Sequence, residues 1–363
     1  MKLVAKVKLL PSHSQANALT GTLETANAAC DYVSGQAWEA QTFGQFALHR
    51  MVYYDVRSRF GLSAQVVVRL ISKVVDSYKI DRAAKRTFRP HGGITYDSRI
   101  LSWKMEKSQV NIWTVEGRLS VPFVCGPRQR ELLQGQRGES DLCLIDGQFY
   151  LFATCDWDEP TPGDVSDFLG VDLGIVNIAA DSDGNTYAGA QLNGLRHRHA
   201  RLRRKLQAKG SKGARRLLAR RRRRESRFAH HVNHCIAKAL VLRARDTARG
   251  IALEDLKGIR QRVTVRRAQR RQHHSWAFAD LRAKVEYKAR LYGVPFVLVN
   301  PRHTSQTCPS CGTIDRANRV SQALFSCASC GFSGPADTTA AGNIARRAVV
   351  NRPHCSPAPV GVG

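Results

Sequence analysis

Four cysteines carry the sharpest chemical signal in the sequence. Cys308 and Cys311 form one C-x-x-C pair and Cys327 and Cys330 a second, with fifteen residues between the pairs and a glycine directly after each, Gly312 and Gly331. In such a turn two thiolates face one ion, and glycine supplies the backbone freedom behind them. Four sulfurs complete the tetrahedral shell of Zn²⁺ and leave no open position, so the expected zinc is structural. The bland alternatives are two disulfides or four inert buried thiols. The other six cysteines (Cys30, Cys125, Cys143, Cys155, Cys235, Cys355) show no framework spacing, which suits a reducing compartment.

A second set of residues is acidic. Asp172 ends the apolar run 168–171, Glu254 ends the run 250–253, and Asp337 follows the last ribbon cysteine by seven residues and opens the final helical stretch. A carboxylate at the end of an apolar strand is costly unless something compensates its charge. Singly, each has an ordinary reading: a turn at Asp172 with Gly174 behind it, a helix cap at Asp337. Glu254 is separated from Asp255 only by its alternation with Ile251 and Leu253. Together, in this element order, they point to an RNase H-like fold in which carboxylates meet at one edge of a mixed sheet. Such a site holds two divalent ions about 4 Å apart that activate a water and stabilise the leaving 3′ oxygen of a phosphodiester. Hard carboxylate oxygens suit Mg²⁺ or Mn²⁺ and leave zinc to the thiolates. The chemistry expected of Asp172, Glu254 and Asp337 is that of a metal-dependent nuclease or strand transferase.

The charge of the chain agrees. It has 363 residues, 43% of them hydrophobic, and 57 Lys+Arg against 29 Asp+Glu leave a net +28. No apolar span near twenty residues and no signal-peptide pattern is evident, so the expected partner is a polyanion and not a membrane. Between Arg196 and Arg224 lie fifteen Lys/Arg and no acid. A charge run is usually a solvated face, but this much charge of one sign repels itself without a polyanion alongside. Arg203, Arg204, Arg215, Arg216, Arg221, Arg222 and Arg223 are therefore the candidate nucleic-acid contacts. Lys209–Gly213 reads as a plain turn between two helices, since the rest of a phosphate-binding loop is missing. His230, His231 and His234 have no partner spacing that marks a metal site.

The elements that must position these groups form two series. Residues 2–10 read as a strand stopped by Pro11, Gln15 to about Met51 as one helix, and Ser63 to Ala84 as another. Thr87 to Cys155 reads as short strands with hairpin tips at Glu116-Gly117 and Asp146-Gly147, a barrel or half-barrel interrupted by the helices. A linker is expected at Asp156–Gly163. Beyond it come a strand at Phe168–Asp172, a hairpin turning at Asp183-Gly184, the basic helices, and a helix with an apolar stripe at Phe228, Val232, Cys235, Ile236, Ala239 and Leu242. A strand at 250–255, a loop at 256–273, a helix from Trp276 to Tyr292 and a strand at 294–300 lead to the cysteines. The last helix is expected from Ala340 to about Asn351, and the Pro/Gly-rich tail is expected to be disordered.

The stretches FLGVDLGIVNIAADSDG, GIALEDLKGIR, HSWAFADLRAKVEYKARLYGVPFVLVNPRHTSQTCPSCG and FSCASCGFSGPADTTAAGNIARRA resemble the TnpB (OrfB) family of insertion sequences, which is ancestral to the type V CRISPR effectors. The resemblance runs from KVKLLPS through RPHGGITYDSRILSWK to about residue 350. It implies an α/β multidomain chain: a wedge-like barrel over 1–163 with a helical recognition lobe inserted at about 12–85, then a RuvC-like nuclease domain over 164–350 carrying the zinc ribbon at 303–335, and a tail at 351–363. It also implies an RNA-guided DNA endonuclease, with guide RNA and target DNA as partners. Asp172, Glu254 and Asp337 match the family's catalytic triad, and the four cysteines its zinc ligands. Thr339 and Ala336 stand where the family usually has Asn and a polar residue. The rivals are a transposase acting without guide RNA and a guided regulator that does not cut. A cytoplasmic, nucleoid-associated protein of a bacterium or archaeon is implied, and a monomer is compatible with the sequence.

Overall fold

A computed structural model describes residues 1–221, 223–257 and 278–350. The chain divides into two compact units, Met1–Asp158 and a second beginning at Glu159. The expected tail, most of the expected loop at 256–273, the start of the helix at Trp276, and Arg222 lie outside the described residues.

The first unit joins a sheet to three helices. Strand β1 (Lys2–Leu9) leads into α1 (His13–Glu39), opened by a capping box in which the Ser12 Oγ accepts from the Gln15 N–H at 3.3 Å and the Gln15 side chain accepts from the Ser12 N–H at 3.0 Å. Leu19, Leu23, Ala26 and Cys30 are buried at helical spacing. The single helix expected to Met51 is in fact two. The chain breaks after Glu39, turns through Gln41 at φ 48°, and resumes as α2 (Gln45–Phe60). Helix α3 (Ala64–Ile80) stops before the expected Ala84, where Asp81 is extended and its carboxylate accepts from the Ala83 N–H at 2.8 Å.

The sheet comprises β2 (Ile94–Tyr96), β3 (Leu101–Lys104), β4 (Gln109–Thr114), β5 (Gly117–Val124), β6 (Gln136–Ile145) and β7 (Gln148–Asp156) with β1. All its pairs are antiparallel, in the order β2-β6-β7-β1-β5-β4-β3. The Tyr96 hydroxyl on one edge donates to the Trp113 carbonyl near the other at 3.1 Å, so the sheet is nearly a barrel. Asp146 and Gly147 both take positive φ, as a two-residue hairpin with native twist requires. A short helix α4 (Pro127–Gln134) was not evident in the sequence pattern; it buries Leu132 and Leu133.

The second unit is layered. Its sheet holds β8 (Phe168–Asp172), β9 (Asn177–Asp181), β10 (Thr186–Ala188), β11 (Gly250–Glu254) and β12 (Phe296–Val299) in the order β10-β9-β8-β11-β12. The three strands β8, β11 and β12 are parallel; β9 and β10 are antiparallel additions. Alternate residues point to opposite faces. Leu169, Val171, Ile251 and Leu253 pack with α7 (Arg224–Asp246) and α8 (Phe278–Leu291). Phe168, Ala252 and Val299 pack with Ile344 and Ala348 of α9 (Ala336–Val350) on the other face. Gly170 makes that second contact possible, since a Cβ there would lie 2.0 Å from the Ala341 carbonyl. The buried stripe of α7 is Ala229, Asn233, Ile236, Ala237, Leu240, Val241 and Ala244; it shares Ile236 with the predicted stripe, whose Phe228 and Val232 pack half-buried against the same core. Cys235 and Ala239 are exposed, and the polar Asn233 is inside because it donates to Asp280 of α8 at 2.7 Å.

Candidate active site and metal centres

Alternation along β8 and β11 decides where the acids go. Val171 pairs with Leu253 across the two parallel strands, so Asp172 and Glu254 are the next residues on adjacent strands. Both therefore emerge at the C-terminal edge of the sheet on the face covered by α9. Helix α9 begins at Ala336, four residues before the expected Ala340, which puts Asp337 in its first turn, where an acid is favoured by the helix dipole. Strand and helix thus bring Asp172, Glu254 and Asp337 to one edge.

Their electrostatics show the proximity. Burial, followed by the negative charges of Glu254 and Asp337, pushes the Asp172 carboxyl up to about 7. Burial also raises Glu254, against a hydrogen bond from the Thr304 hydroxyl and the charges of Arg347 and Arg319. Asn177 donates to Asp337 at 2.9 Å, and the Arg319 guanidinium lies 3.5 Å from the same carboxylate. Oxygen donors that repel one another in a part-buried edge suit a hard divalent cation, whose charge would relieve the repulsion. The other candidate metal centre is the four cysteines, whose ligand atoms all lie within 4.8 Å of one another.

Those cysteines form two copies of one turn. The Cys308 N–H bonds the Thr313 carbonyl at 2.9 Å and the Cys327 N–H the Phe332 carbonyl at 2.7 Å, while Gly312 and Gly331 bond back to Cys308 and Cys327 at 3.0 and 3.1 Å. Both glycines have positive φ, 76° and 73°, with open space where a Cβ would sit, so backbone conformation alone selects them. The Sγ atoms of Cys308 and Cys330 lie 3.5 Å apart and those of Cys311 and Cys327 3.6 Å. Zinc–sulfur bonds of about 2.3 Å imply tetrahedral edges of about 3.8 Å, so the four sulfurs fit that ion and are too far apart for disulfides. The Thr313 hydroxyl and N–H pull the Cys311 thiol down to about 6, whereas, against a hydrogen bond from the Phe332 backbone, the neighbouring cysteines push Cys330 up to about 11.

The ribbon also reaches the carboxylates. Between the pairs, buried Asn318 donates to the Gln306 and Thr313 carbonyls at 3.0 and 3.2 Å and accepts from the Ala328 N–H at 3.1 Å, tying the two halves together. Arg319, the next residue, is the one beside Asp337. Strands β13 (Leu324–Ser326) and β14 (Ser333–Pro335) then run directly into α9. Arg319, Asn177 and Thr304 were missed in the sequence; each acts through tertiary contact, and no spacing distinguishes Arg319 from Arg316. Asn343 of α9 was missed as well: it donates to the Thr304 and Thr307 carbonyls at 2.9 and 2.8 Å, fixing the segment that presents the Thr304 hydroxyl.

The candidate nucleic-acid contacts lie apart from this edge in sequence and on different elements. Helices α5 (Ala190–Lys209) and α6 (Lys212–Arg221) are separated by a turn in which Gly210 is left-handed. Arg203, Arg204, Arg215, Arg216 and Arg223 are exposed and Arg221 is partly buried. The three histidines have other contacts: His230 faces Lys284 and Asp280, His231 faces Cys235, and His234 faces Tyr287. Among the described residues, no helix is long and apolar enough to cross a membrane.

Comparison with known proteins gives two family matches on this unit. Residues 155–260 match the family described as probable transposase, and residues 278–344 match the Cas12f1-like TNB domain. One relative is the CRISPR-associated endodeoxyribonuclease Cas12f1 of Sulfoacidibacillus thermotolerans, 37% identical over 119 residues, 32% of this chain and 27% of that protein. Another is the TnpB-like protein MJ0751 of Methanocaldococcus jannaschii, 33% identical over 125 residues, 34% of this chain and 44% of that protein. The matches thus span less than half of these relatives. In fold, the chain is similar to Cas12f1 in its complex with sgRNA and target DNA (TM-score 0.55, 15% identity, 90% and 82% of the two chains). It is also similar to the mini-RNA-guided endonuclease Cas_phi3 (TM-score 0.60, 10% identity, 98% and 94%).

Proposed function

We propose that the chain is a member of the TnpB (OrfB) family and, on that premise, an RNA-guided, divalent-metal-dependent DNA endonuclease of an insertion sequence. The observation that carries the reading is the meeting of Asp172 and Glu254, on neighbouring parallel strands, with Asp337 on α9. The second unit is read as a RuvC-like nuclease domain and 303–335 as its zinc ribbon, following the first unit as wedge and recognition lobe.

In this reading the three carboxylates would hold Mg²⁺ or Mn²⁺, which would supply Lewis-acid activation of water and charge neutralisation at the phosphodiester. The remaining work falls to the chain. The Thr304 hydroxyl and the Asn177 amide aim Glu254 and Asp337 by donating to them, which limits the rotamers each can take. Arg319 offers a positive charge beside Asp337 for an incoming phosphate oxygen, and the ribbon fixes its position through Asn318. The arginines of α5 and α6 attract the polynucleotide backbone. Sequence choice is left to guide pairing.

The test is to sequence RNA that copurifies with the protein, then to exchange its guide segment and offer plasmids matching the old and the new sequence with Mg²⁺. Cleavage that follows the exchanged segment supports the reading. A defined RNA with no cleavage favours the regulator, and binding confined to one DNA end without RNA favours the transposase.

A further inference from the structure

The basic hairpin of α5 and α6 holds a cleft that charge alone does not explain. It has a volume of about 450 Å³, in the range of small-molecule sites, and its floor is Leu202, Leu206 and Leu218. Arg203, Arg221, Arg223 and His199 surround that floor. One acid, Glu225, also lines it, 3.6 Å from Arg203 and 3.8 Å from Arg196, which leaves Arg221 and Arg223 without an ion partner among the described residues. The Arg221 Nε is buried and has no hydrogen-bond partner, and a buried guanidinium nitrogen left unpaired is costly. Arg223 is itself held at φ 65°, a conformation uncommon outside glycine, at the turn that brings it to the rim.

An apolar floor with uncompensated cations above it fits a ligand that is flat and apolar at one end and anionic at the other. A backbone phosphate alone would leave the leucines wet, and an apolar chain alone would leave the arginines unpaired. A single nucleotide unit meets both demands.

We propose that this cleft takes one unstacked nucleotide of a bound strand, with its base on Leu202, Leu206 and Leu218 and its phosphate at Arg221 and Arg223. The proposal rests on the reading of the chain as a polynucleotide binder and adds a base-binding pocket to it. RNA and DNA share this chemistry, and the experiment separates them.

The experiment compares binding of the full chain to single-stranded 12-mers of RNA and of DNA with binding to abasic strands of the same length and charge, over a salt series. Wild type is expected to hold base-bearing strands of one type about fivefold or more tighter than their abasic counterparts, the low end of base-contact energies. Leu206→Gln, which makes the lining of the cleft polar at similar size, is expected to erase that difference while keeping the salt slope. Arg221→Gln is expected to lower the slope by about one and keep most of the base-dependent gain. Leu218→Gln serves as a second polar variant, and both are checked for unchanged circular dichroism and zinc content. The strand type that shows the gain identifies the source. A gain that survives both polar variants, or no gain in wild type, overturns the cleft while leaving polynucleotide binding intact. Absence of salt-dependent binding in wild type overturns both.

Discussion

The cysteine centre and the carboxylate edge are joined by one short stretch of chain, yet they are built on opposite principles. The cysteines sit in duplicated turns whose backbone hydrogen bonds set the four sulfurs at separations close to those of a filled tetrahedron. Nothing is left open for a substrate. The carboxylates come from two strands and a helix, and Glu254 and Asp337 add to burial in raising the affinity of Asp172 for protons. An acid in the turn between β9 and β10 gives the control: Asp183 faces Arg249 at 2.6 Å, and that partner holds its carboxyl below the usual range. The structural acid Asp183 has its charge matched, whereas at Asp172 burial and two neighbouring acids outweigh the charge of Arg319. That mismatch marks the edge as the place for chemistry.

The sharpest separation should come from zinc. Cys330→Ser is expected to reduce the content from about one ion per chain to near none, and to melt the ribbon, because a structural site of this type is largely folded by its ion. Atomic absorption and protease sensitivity of 303–335 check it; a zinc-free variant with an intact ribbon would break the distinction. Arg319→Ala comes next, with cleavage expected to fall about 10- to 100-fold at unchanged zinc content. Thr304→Val should cost about tenfold, since it loosens Glu254 without removing it.

The smaller effects concern stability and have opposite signs. Without added divalent ions, the raised Asp172 carboxyl makes wild-type stability decline as pH rises from the usual carboxylate range to about 7. Asp172→Asn removes a repelling charge and is expected to raise Tm at neutral pH, a gain of stability at a functional position. Asp183→Asn should do the reverse, costing about 0.5–1 kcal/mol at pH 7, a cost that vanishes as pH falls through the depressed value of its wild-type carboxyl. Thermal unfolding across pH distinguishes the two; equal signs would remove the contrast between matched and unmatched acids.

Much of this was legible in the sequence because it is local. The cysteine turns, the Asp146-Gly147 hairpin and the strand-end acids depend on residues within a few positions of each other. Alternation alone turned Glu254 away from Ile251 and Leu253. The break at Gln41 was hidden because apolar spacing continues on either side of it. Part of the α7 stripe escapes the pattern because polar Asn233 is buried by a partner on α8, 47 residues away. Arg319, Asn177, Thr304 and Asn343 were invisible for the same reason: their meaning lies in partners that only folding supplies.

The most direct measurement pairs wild type with Asp172→Ala, both loaded with the copurified RNA retargeted to a plasmid, and records cleavage with Mg²⁺ together with zinc content and RNA binding. Asp172→Ala is expected to lose cleavage by about a thousandfold or more while zinc and bound RNA remain as in wild type. Undiminished cleavage by that variant would contradict a metal-holding role for Asp172.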